Sequence, residues 1–219
     1  MKKNETTKIV SLLNEKYKDA QCELKFSSTF ELLVAVILSA QCTDKRVNEV
    51  TKTLFKQANT PEQFAVMGQE RLEGLIHSCG FYHNKAKNII SCSKDLVNRF
   101  GGVVPSEKAQ LKSLAGVGEK TANVVLATAF KTPAIAVDTH VFRVSRRLGL
   151  ASGKNVSEVQ KSLEKNVDKK DWSATHYSLV LHGRYVCKAR KPMCDGCDFA
   201  AVCQFYKKEQ NKKKTKAKN

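Results

Sequence analysis

The sequence predicts an all-α protein built as one domain or two small ones. Its 219 residues are enough to bury a substantial core, and the balance of 42% apolar to 27% charged residues is that of a globular chain. Apolar side chains recur at helical spacing through most of the chain. Strand-like alternation is nearly absent, because its best candidate, "AIAV" at 134–137, is too short to count.

The first half of the chain contains the most strongly patterned helices. "FELLVAVILSAQ" at 30–41 is apolar enough to be a buried central helix, and the segment 44–57 is amphipathic. The apolar stripe of this second segment follows i, i+3, i+7 and i+8 spacing and consists of Val47, Val50, Leu54 and Phe55. Thr60 and Gln63 then predict a capping box with Pro61 at the first helical position.

Further helices are predicted on both sides of a glycine turn. A long amphipathic helix over 83–100 ends at two glycines. Shorter helices over 106–115 and 119–130 flank the turn Gly116-Val117-Gly118. The remaining helix-start signals are Asp138 and the capping-box pair Ser157 and Gln160.

The net charge predicts a polyanionic partner. Lys and Arg number 38 against 21 acidic residues, which gives a formal charge of +17. Because phosphate contacts release counterions, nucleic acid is the expected partner, and the alternative is a charge that merely prevents association. The Lys-rich segment 206–219 is expected to be a disordered tail. It holds seven lysines and one glutamate, so the rest of the chain keeps about +11.

No membrane-spanning or secretory segment is expected. The basic start "MKKNETTKIVSLL" turns polar at once, without a sustained apolar region or a small-residue cleavage site. The longest strongly apolar run, at 32–38, is far too short to cross a bilayer. The expected location is the cytoplasm and, in a bacterium, the nucleoid.

Eight cysteines in such a chain favour thiols or a metal site over disulfides. Four are scattered among apolar or helical segments and are expected to be buried, inert thiols: Cys22, Cys42, Cys79 and Cys92. The other four fall within 17 residues: Cys187, Cys194, Cys197 and Cys203.

The clustered cysteines have the spacing C-x6-C-x2-C-x5-C, and four thiolates this close can ligate one zinc ion or an iron–sulfur cluster. Zinc modules usually carry two C-x2-C pairs, whereas this segment has one, and longer loops permit a cubane cluster. Lys188, Arg190 and Lys191 lie in the first loop, so the bound group would hold a basic loop in a fixed shape.

The glycine turn lies within "LAGVGEKTANVVL", at 114–126. A nucleotide-phosphate loop would need glycine directly before the lysine, but Glu119 separates Gly118 from Lys120, so that motif is excluded. Glycines allow a tight turn, and the unpaired N–H groups of the following helix form an anion site that reads no base sequence. The turn therefore predicts a phosphate clamp, and the alternative is a glycine that simply ends a helix.

Lys120 has two possible roles. As a phosphate contact it needs no special environment, but a nucleophile must attack as the neutral amine, which burial or nearby positive potential favours. Asp138, in "AVDTHVFRV", is the candidate for a carboxylate partner. By spacing alone, an ordinary helix N-cap is the better explanation of Asp138.

Together these motifs resemble the endonuclease III family of DNA glycosylases. The matching segments are "LAGVGEKTANVVL", "VDTHVFRV" and the four-cysteine loop, with "LSAQCTD" (38–44) and "CGFYHNKAKNI" (79–89) as further signatures. They occur in family order from about Ile9 to Cys203, and the Lys-rich tail lies outside the match.

The resemblance implies two lobes. Residues 23–133 would form a six-helix barrel containing a helix-hairpin-helix motif at about 106–131. Residues 134–205 would form an iron–sulfur domain, with a [4Fe–4S] cluster on the four clustered cysteines, and the segment 1–22 would pack with it. A monomer would bind double-stranded DNA carrying an oxidised pyrimidine or an abasic site in the cleft between the lobes.

The resemblance also implies the chemistry of a bifunctional DNA glycosylase and abasic-site lyase. The damaged base would flip out of the duplex, and Lys120 would attack C1′ of its sugar and expel it. The resulting Schiff base would lead to strand cleavage 3′ to the site by β-elimination. Asp138 would take the lysine's proton or stabilise positive charge on the sugar.

Further site residues follow from the same resemblance. Gln41 would fill the hole left by the flipped base, and Phe81 would stand in for the apolar wedge, often leucine, that intrudes into the stack. Asp44 and His140 would line the pocket, although without the family Asp44 is an N-cap and His140 a satisfied helix residue. The expected DNA contacts also include Gly116, Val117, Gly118, Thr121, Lys188, Arg190 and Lys191.

Two residues depart from the family pattern, and two other functions stay open. Ala115 stands where the turn commonly has proline. Glu119 stands where many members have a basic residue, and we expect its carboxylate to point to solvent, since an inward acid would favour protonated Lys120. The alternatives are a monofunctional mismatch glycosylase, which lacks the lysine and carries a further C-terminal domain, and a non-catalytic DNA-binding iron–sulfur protein.

Overall fold

The structure, a computed structural model, describes residues 3–216, and every regular element in that range is helical. The all-α prediction is confirmed. None of the described helices is both long and apolar enough to cross a membrane. The elements are α1 (Lys3–Lys16), α2 (Thr29–Leu38), α3 (Asp44–Gln57), α4 (Pro61–Val66), α5 (Gln69–Ile76), α6 (Tyr82–Phe100), α7 (Lys108–Lys112), α8 (Glu119–Ala129), α9 (Thr139–Leu148), α10 (Val156–Asn166), a 3-10 turn (Lys169–Asp171), α11 (Trp172–Tyr185) and α12 (Gln204–Lys216).

The chain divides into two compact units. The central unit comprises residues 22–132 and therefore holds α2 to α8. The terminal unit combines residues 1–21 with residues 133–219 and holds α1 and α9 to α12. These boundaries differ by one residue from those expected from the sequence.

Helix α2 forms the core of the central unit. Every residue from Phe30 to Leu38 is buried, as a helix that is apolar on all sides requires. The helix packs against α3, α6 and α8. Its first turn is closed by polar groups: Ser28 Oγ accepts from the Glu31 N–H at 3.1 Å, and the buried Glu31 carboxylate accepts from the Ser27 N–H at 2.5 Å. A carboxylate at this position is favoured by the helix dipole.

The two predicted capping boxes had different outcomes. At α4, Thr60 Oγ1 accepts from the Gln63 N–H and Gln63 Oε1 accepts from the Thr60 N–H, so this prediction is confirmed. The prediction at Ser157 is wrong, because α10 starts two residues earlier. Asn155 is its N-cap and accepts from the Glu158 N–H at 2.9 Å. Asparagine caps a helix as well as serine does, so the pattern carried two competing start signals.

Helix α9 organises the terminal unit. Val141, Val144 and Leu148 lie at i, i+3 and i+7 and are fully buried. The helix packs against α10, α11 and α12. Helix α1 packs on α11 and contributes Ile9 and Leu13 to the same core. The N-terminal segment therefore belongs to this unit through packing and not only through position in the chain.

The expectation of a disordered tail at 206–219 is wrong for the described residues, because α12 runs from Gln204 to Lys216. Its first turn is anchored: Phe205 and Tyr206 pack against the core of the terminal unit. The Arg147 guanidinium lies 4.5 Å from the centre of the Phe205 ring, a cation–π contact. This aromatic anchor supplies the burial that the Lys-rich composition lacks. The last three residues of the chain lie outside the described range.

Helix α4 offers a matched test of the core of the central unit. Phe64 is fully buried with its ring edge-on to Phe30 at 5.3 Å, whereas Val66 in the same helix is 84% exposed. Phe64→Ala is expected to lower the free energy of unfolding by about 3–5 kcal/mol. Val66→Ala is expected to change it by less than about 0.5 kcal/mol. Denaturant midpoints measure both values, and equal losses would contradict the described burial.

Candidate DNA-binding and catalytic site

The Gly116-Val117-Gly118 turn connects α7 to α8 in the central unit. Gly116 has φ +77°, in the left-handed region that favours glycine. A Cβ added there would lie 3.0 Å from the Asn88 Cβ on α6. Val117 is buried and its N–H donates to the Leu114 carbonyl at 3.2 Å. Glycine at position 116 therefore permits both the turn and its close approach to α6.

The N-terminus of α8 is open. Gly118 is its N-cap and makes no side-chain capping bond, and nothing lies within 4 Å of the place where a Cβ would stand. The N–H groups of the first turn therefore carry the positive end of the helix dipole without a capping side chain. Such a helix start can bind an anion such as a phosphate through its backbone.

Lys120 is the second residue of α8, and its side chain is exposed. Burial or nearby positive potential favours the neutral, nucleophilic form of a lysine. The Lys120 side chain is not buried in the free protein. The positive helix end is present, directly beside it. Thr121 follows in the same first turn and is half-buried.

Glu119 turns toward α7 and away from Lys120. Its carboxylate pairs with Lys108 and with Lys112, the latter at 2.9 Å, and no ion pair within the described residues joins it to Lys120. The hydrogen bonds from Lys108 and then Lys112 hold the pKa of the Glu119 carboxyl below its ordinary value. The solvent prediction is thus confirmed only in part, since the side chain is 43% exposed but bridges the two helices of the hairpin.

Gln41 and Phe81 lie on two neighbouring loops and share an unusual backbone. Their φ angles are 53° and 57°, in the left-handed region, and neither residue is glycine. Both side chains are exposed, and Phe81 is 63% exposed despite its size. A Cβ at Gly80 would lie 3.8 Å from the Gln41 carbonyl oxygen, so the two loops touch. Strained, exposed residues of this kind cluster at ligand-binding sites.

A buried lysine joins the helix that precedes the Gln41 loop to the helix that follows Phe81, and it was missed in the sequence. Lys85, in the first turn of α6, is only 5% exposed, and its Nζ donates to the Leu38 carbonyl at 2.8 Å. Burial lowers the pKa of this amine. A lysine in an amphipathic helix pattern looks like a surface residue, so no local signal marks this one.

In the terminal unit, Asp138 is the N-cap of α9. Its Oδ1 accepts from the Val141 N–H at 2.7 Å, so the N-cap interpretation is confirmed. The cap uses one carboxylate oxygen and fixes the orientation of the half-buried side chain. His140 Nδ1 lies 3.2 Å from Arg143 Nη2, and Arg143 also donates to the Gly183 carbonyl at 2.8 Å. His140 is therefore a partnered helix residue.

Asp44 does not have the capping role that its position suggests. The N-cap of α3 is Thr43, whose Oγ1 accepts from the Arg46 N–H at 3.3 Å. Asp44 is the first helical residue and is half-buried. The N-cap expectation for Asp44 is wrong because threonine one residue earlier competes for the same role.

The four clustered cysteines line one pocket in the terminal unit, with about 330 Å³ of empty space that includes open solvent. Its apolar walls include Leu148, Val186, Met193 and Phe205. Within residues 3–216, no group of three or more His, Cys, Asp or Glu residues is placed to hold a single metal ion. Four thiols around a shared space are the donor set of an iron–sulfur cluster. The residues that could hold such a cluster are Cys187, Cys194, Cys197 and Cys203.

Arg147 connects this pocket to the basic loop. Its Nη1 donates to Cys187 Sγ at 3.3 Å and to the Lys188 carbonyl at 2.8 Å, and its Nη2 donates to the Ala189 carbonyl at 3.2 Å. The charged side chains of the loop remain exposed: Lys188, Arg190 and Lys191. The loop is thus held through its backbone while its positive charges face solvent.

Comparison with known proteins identifies the family. Residues 34–169 match the model of the HhH-GPD superfamily of base excision DNA repair proteins. The chain is 50% identical to endonuclease III of Bacillus subtilis (strain 168), over 91% of this chain and 92% of that protein. The chain belongs to the endonuclease III family. Endonuclease III of Escherichia coli (strain K12) is 46% identical over 95% of this chain and 99% of its own length.

Solved structures agree with membership of the endonuclease III family. A trapped endonuclease III–DNA covalent intermediate, an estranged-adenine complex, matches with a TM-score of 0.91 at 45% identity, over 96% of this chain and 99% of that one. A non-covalent endonuclease III–DNA complex matches equally well. A thermostable thymine-DNA glycosylase shares the fold, with a TM-score of 0.85 at 21% identity.

The role of Gly116 in the turn can be tested by comparison with a second glycine, Gly74. Gly116→Ala is expected to destabilise the protein by about 1–3 kcal/mol, because a left-handed alanine would press on Asn88, and to weaken duplex DNA binding. Gly74 lies within α5, and a Cβ there meets open space, so Gly74→Ala is expected to stabilise by up to about 1 kcal/mol. Unfolding midpoints and fluorescence anisotropy with labelled duplex measure both effects. Equal behaviour of the two variants would contradict the account of the turn.

Proposed function

We propose that this chain is a bifunctional DNA glycosylase and abasic-site lyase that removes oxidised pyrimidines from double-stranded DNA. The observation that carries the proposal is the position of Lys120, exposed in the first turn of a helix with an open N-terminus. Membership of a base-excision repair family supports the reaction class. DNA complexes of two solved relatives support the partner.

A DNA strand is held through its phosphates. The open amides of α8 bind one phosphate, and this binding is independent of base sequence. The exposed Lys188, Arg190 and Lys191 add contacts from a loop whose backbone Arg147 fixes. The formal charge of +17 predicts strong salt dependence of the affinity, since each phosphate contact releases counterions.

The damaged base leaves the stack before the reaction. Phe81 enters the duplex as an apolar wedge, and Gln41 fills the space left by the flipped nucleotide. The exposure of both side chains and the contact between their loops support this role. Unstacking is cheapest where damage has already weakened the pair, which contributes to selection of the lesion.

Lys120 then acts as the nucleophile. Its neutral Nζ attacks C1′, the glycosidic bond breaks, and the base departs with the bonding electrons. The bond between C1′ and the ring oxygen then breaks, the oxygen takes a proton from the amine, and a Schiff base forms between Nζ and C1′. Loss of a proton from C2′ permits β-elimination, which breaks the C3′–O bond 3′ to the site. The trapped covalent complex of a relative at 45% identity supports a covalent route. The pairing of Glu119 with Lys108 and Lys112 keeps its negative charge engaged away from Lys120.

Asp138 assists the reaction through the negative charge of its carboxylate. Its carboxylate is oriented by the Val141 N–H, so one oxygen remains for the reacting sugar or for the lysine's proton. A carboxylate stabilises positive charge that develops at C1′ as the base departs. Asp44 and His140 are proposed only as lining residues of the pocket.

The four clustered cysteines hold a [4Fe–4S] cluster in this proposal. When bound, the cluster supplies four covalent anchor points for the surrounding loops. The shared pocket of the four thiols and its apolar walls support the fit. We place the protein in the cytoplasm as a monomer that acts on chromosomal DNA.

The trapping reaction tests the nucleophile. With sodium borohydride and a duplex that contains an oxidised pyrimidine, the wild-type protein is expected to form a covalent adduct visible on a denaturing gel. Lys120→Ala is expected to form none, because the amine that makes the Schiff base is gone. Lys56→Ala removes another exposed lysine, in α3, and should trap normally. An undiminished adduct with Lys120→Ala would exclude Lys120, and no adduct with the wild type would favour a monofunctional enzyme.

The capping and catalytic roles of Asp138 can be separated. Asn is as good an N-cap as Asp, so Asp138→Asn should leave the melting temperature nearly unchanged. Loss of the charge should slow base release by about 100-fold or more in single-turnover kinetics. Asp138→Ala should lose the rate and, in addition, about 0.5–2 kcal/mol of stability. If Asp138→Asn released the base at the wild-type rate, the role of Asp138 would be limited to capping α9.

The cluster assignment predicts the metal content. The purified protein is expected to show broad visible absorption and to contain iron and inorganic sulfide in equal amounts. Cys203→Ser should lose this absorption, whereas Cys92→Ala, at a buried thiol in α6, should retain it. Zinc in place of iron, measured by elemental analysis, would contradict the assignment.

A further inference from the structure

The end of α1 contacts the part of the terminal unit that carries the clustered cysteines. Lys16, the last residue of α1, forms an ion pair with Asp198, which directly follows Cys197. Tyr17 comes next, and its hydroxyl oxygen lies 2.8 Å from Nδ1 of His182 on α11. The rings of Tyr17 and His182 meet edge to face with their centres 5.9 Å apart. The proposed base-excision chemistry uses neither residue.

His182 connects Tyr17 to a cysteine sulfur. The imidazole is only 1% exposed and lines the four-cysteine pocket. Its Nε2 lies 3.7 Å from Cys197 Sγ, which is within reach of an N–H···S hydrogen bond because sulfur is larger than oxygen. The buried ring of Phe199 packs edge-on against the imidazole, with 4.8 Å between the ring centres. One ring nitrogen therefore faces the phenol and the other faces the sulfur, while packing fixes the plane of the ring.

Ligation of Cys197 fixes the direction of both hydrogen bonds. A cysteine that ligates a metal is a thiolate, so its sulfur has no proton and can only accept. Nε2 of His182 must therefore carry the proton and donate to Cys197 Sγ. A neutral imidazole has one donor and one acceptor nitrogen, so Nδ1 accepts from the Tyr17 hydroxyl. Burial of the ring favours this neutral form.

We propose that Tyr17 and His182 form a hydrogen-bond relay that ends on Cys197 Sγ and raises the reduction potential of the bound cluster. Hydrogen bonds to the sulfurs are among the factors that set the potential of an iron–sulfur cluster. The reduced cluster carries one more negative charge than the oxidised one, so an N–H directed at a sulfur stabilises the reduced form more. This role rests on the [4Fe–4S] cluster proposed above and not on the proposed reaction at C1′.

Tyr17 is a positioning residue that acts through His182. Its O–H donates to Nδ1 and so gives the proton-free nitrogen of the ring a partner inside the protein. Accepting this hydrogen bond draws charge from the ring and makes the N–H at Nε2 a stronger donor, since hydrogen bonds in a chain polarise one another. The phenol thereby strengthens a hydrogen bond to a sulfur that it does not itself contact.

A higher reduction potential opposes the loss of an electron from the cluster. A one-electron oxidant such as ferricyanide takes one electron, becomes ferrocyanide and transfers no proton. The relay is therefore expected to slow this oxidation. In a stopped-flow measurement of visible absorption, ferricyanide should oxidise the cluster of Tyr17→Phe faster than that of the wild-type holoprotein. Equal rates would contradict the effect of the relay on oxidation.

Voltammetry of the holoprotein tests the relay directly. His182→Leu removes the N–H and is expected to lower the reduction potential, and Tyr17→Phe removes only the hydroxyl and should lower it by a smaller amount. Tyr206→Phe is the matched control: it removes a phenol at the same pocket, whose hydroxyl donates to Asp195 at 3.1 Å, and should leave the potential unchanged. Loosened packing that admits water would instead raise the potential, because water stabilises the more negatively charged, reduced form.

Iron and sulfide content, measured on each protein, separates the outcomes. A wild type without iron would overturn the relay together with the cluster assignment. An iron-loaded Tyr17→Phe with an unchanged or higher potential would overturn the relay alone, and this variant decides if His182→Leu fails to bind the cluster. A neutron crystal structure of the wild-type holoprotein is expected to show deuterium on His182 Nε2, directed at Cys197 Sγ. Deuterium on Nδ1 alone would contradict the relay.

Discussion

The open helix end beyond Gly118 is the constraint on which the rest of the site depends. Gly116 makes it possible, because only a residue without Cβ fits both a left-handed φ and the contact with Asn88. The turn sets where α8 begins, and that start decides which groups face outward. Lys120 then falls in the first turn beside bare amides. Glu119 falls within reach of α7 and closes the hairpin as an ion pair.

Each unit contains a helix start that belongs to the proposed site, and the two helix starts have opposite roles. Helix α8 starts at a glycine that gives its amides no side-chain partner, so they can bind a group from outside the protein. Helix α9 starts at Asp138, which satisfies an amide internally and is itself oriented by doing so. The start of α8 can bind an anion, whereas the start of α9 carries one, the Asp138 carboxylate. Both outcomes follow from one residue at the N-cap.

The features that could be predicted from the sequence are those that local patterns along the chain determine. The all-α fold, the capping box at Thr60 and the Asp138 cap depend on spacing along the chain. The grouping of the clustered cysteines around one pocket also follows from short spacing. The sequence could not predict the backbone of Gln41 and Phe81 or the burial of Lys85, because contacts between segments far apart in the chain accompany them. Helix α12 was missed since its stability comes from aromatic anchoring and not from its Lys-rich composition.

A crystal structure of the protein trapped by borohydride on a duplex with an oxidised pyrimidine tests the central claim most directly. The account predicts continuous density from Lys120 Nζ to C1′ of the damaged nucleotide. It also predicts a strand phosphate within hydrogen-bond distance of the amides in the first turn of α8. A covalent bond from another residue, or a phosphate held away from that helix start, would contradict the account.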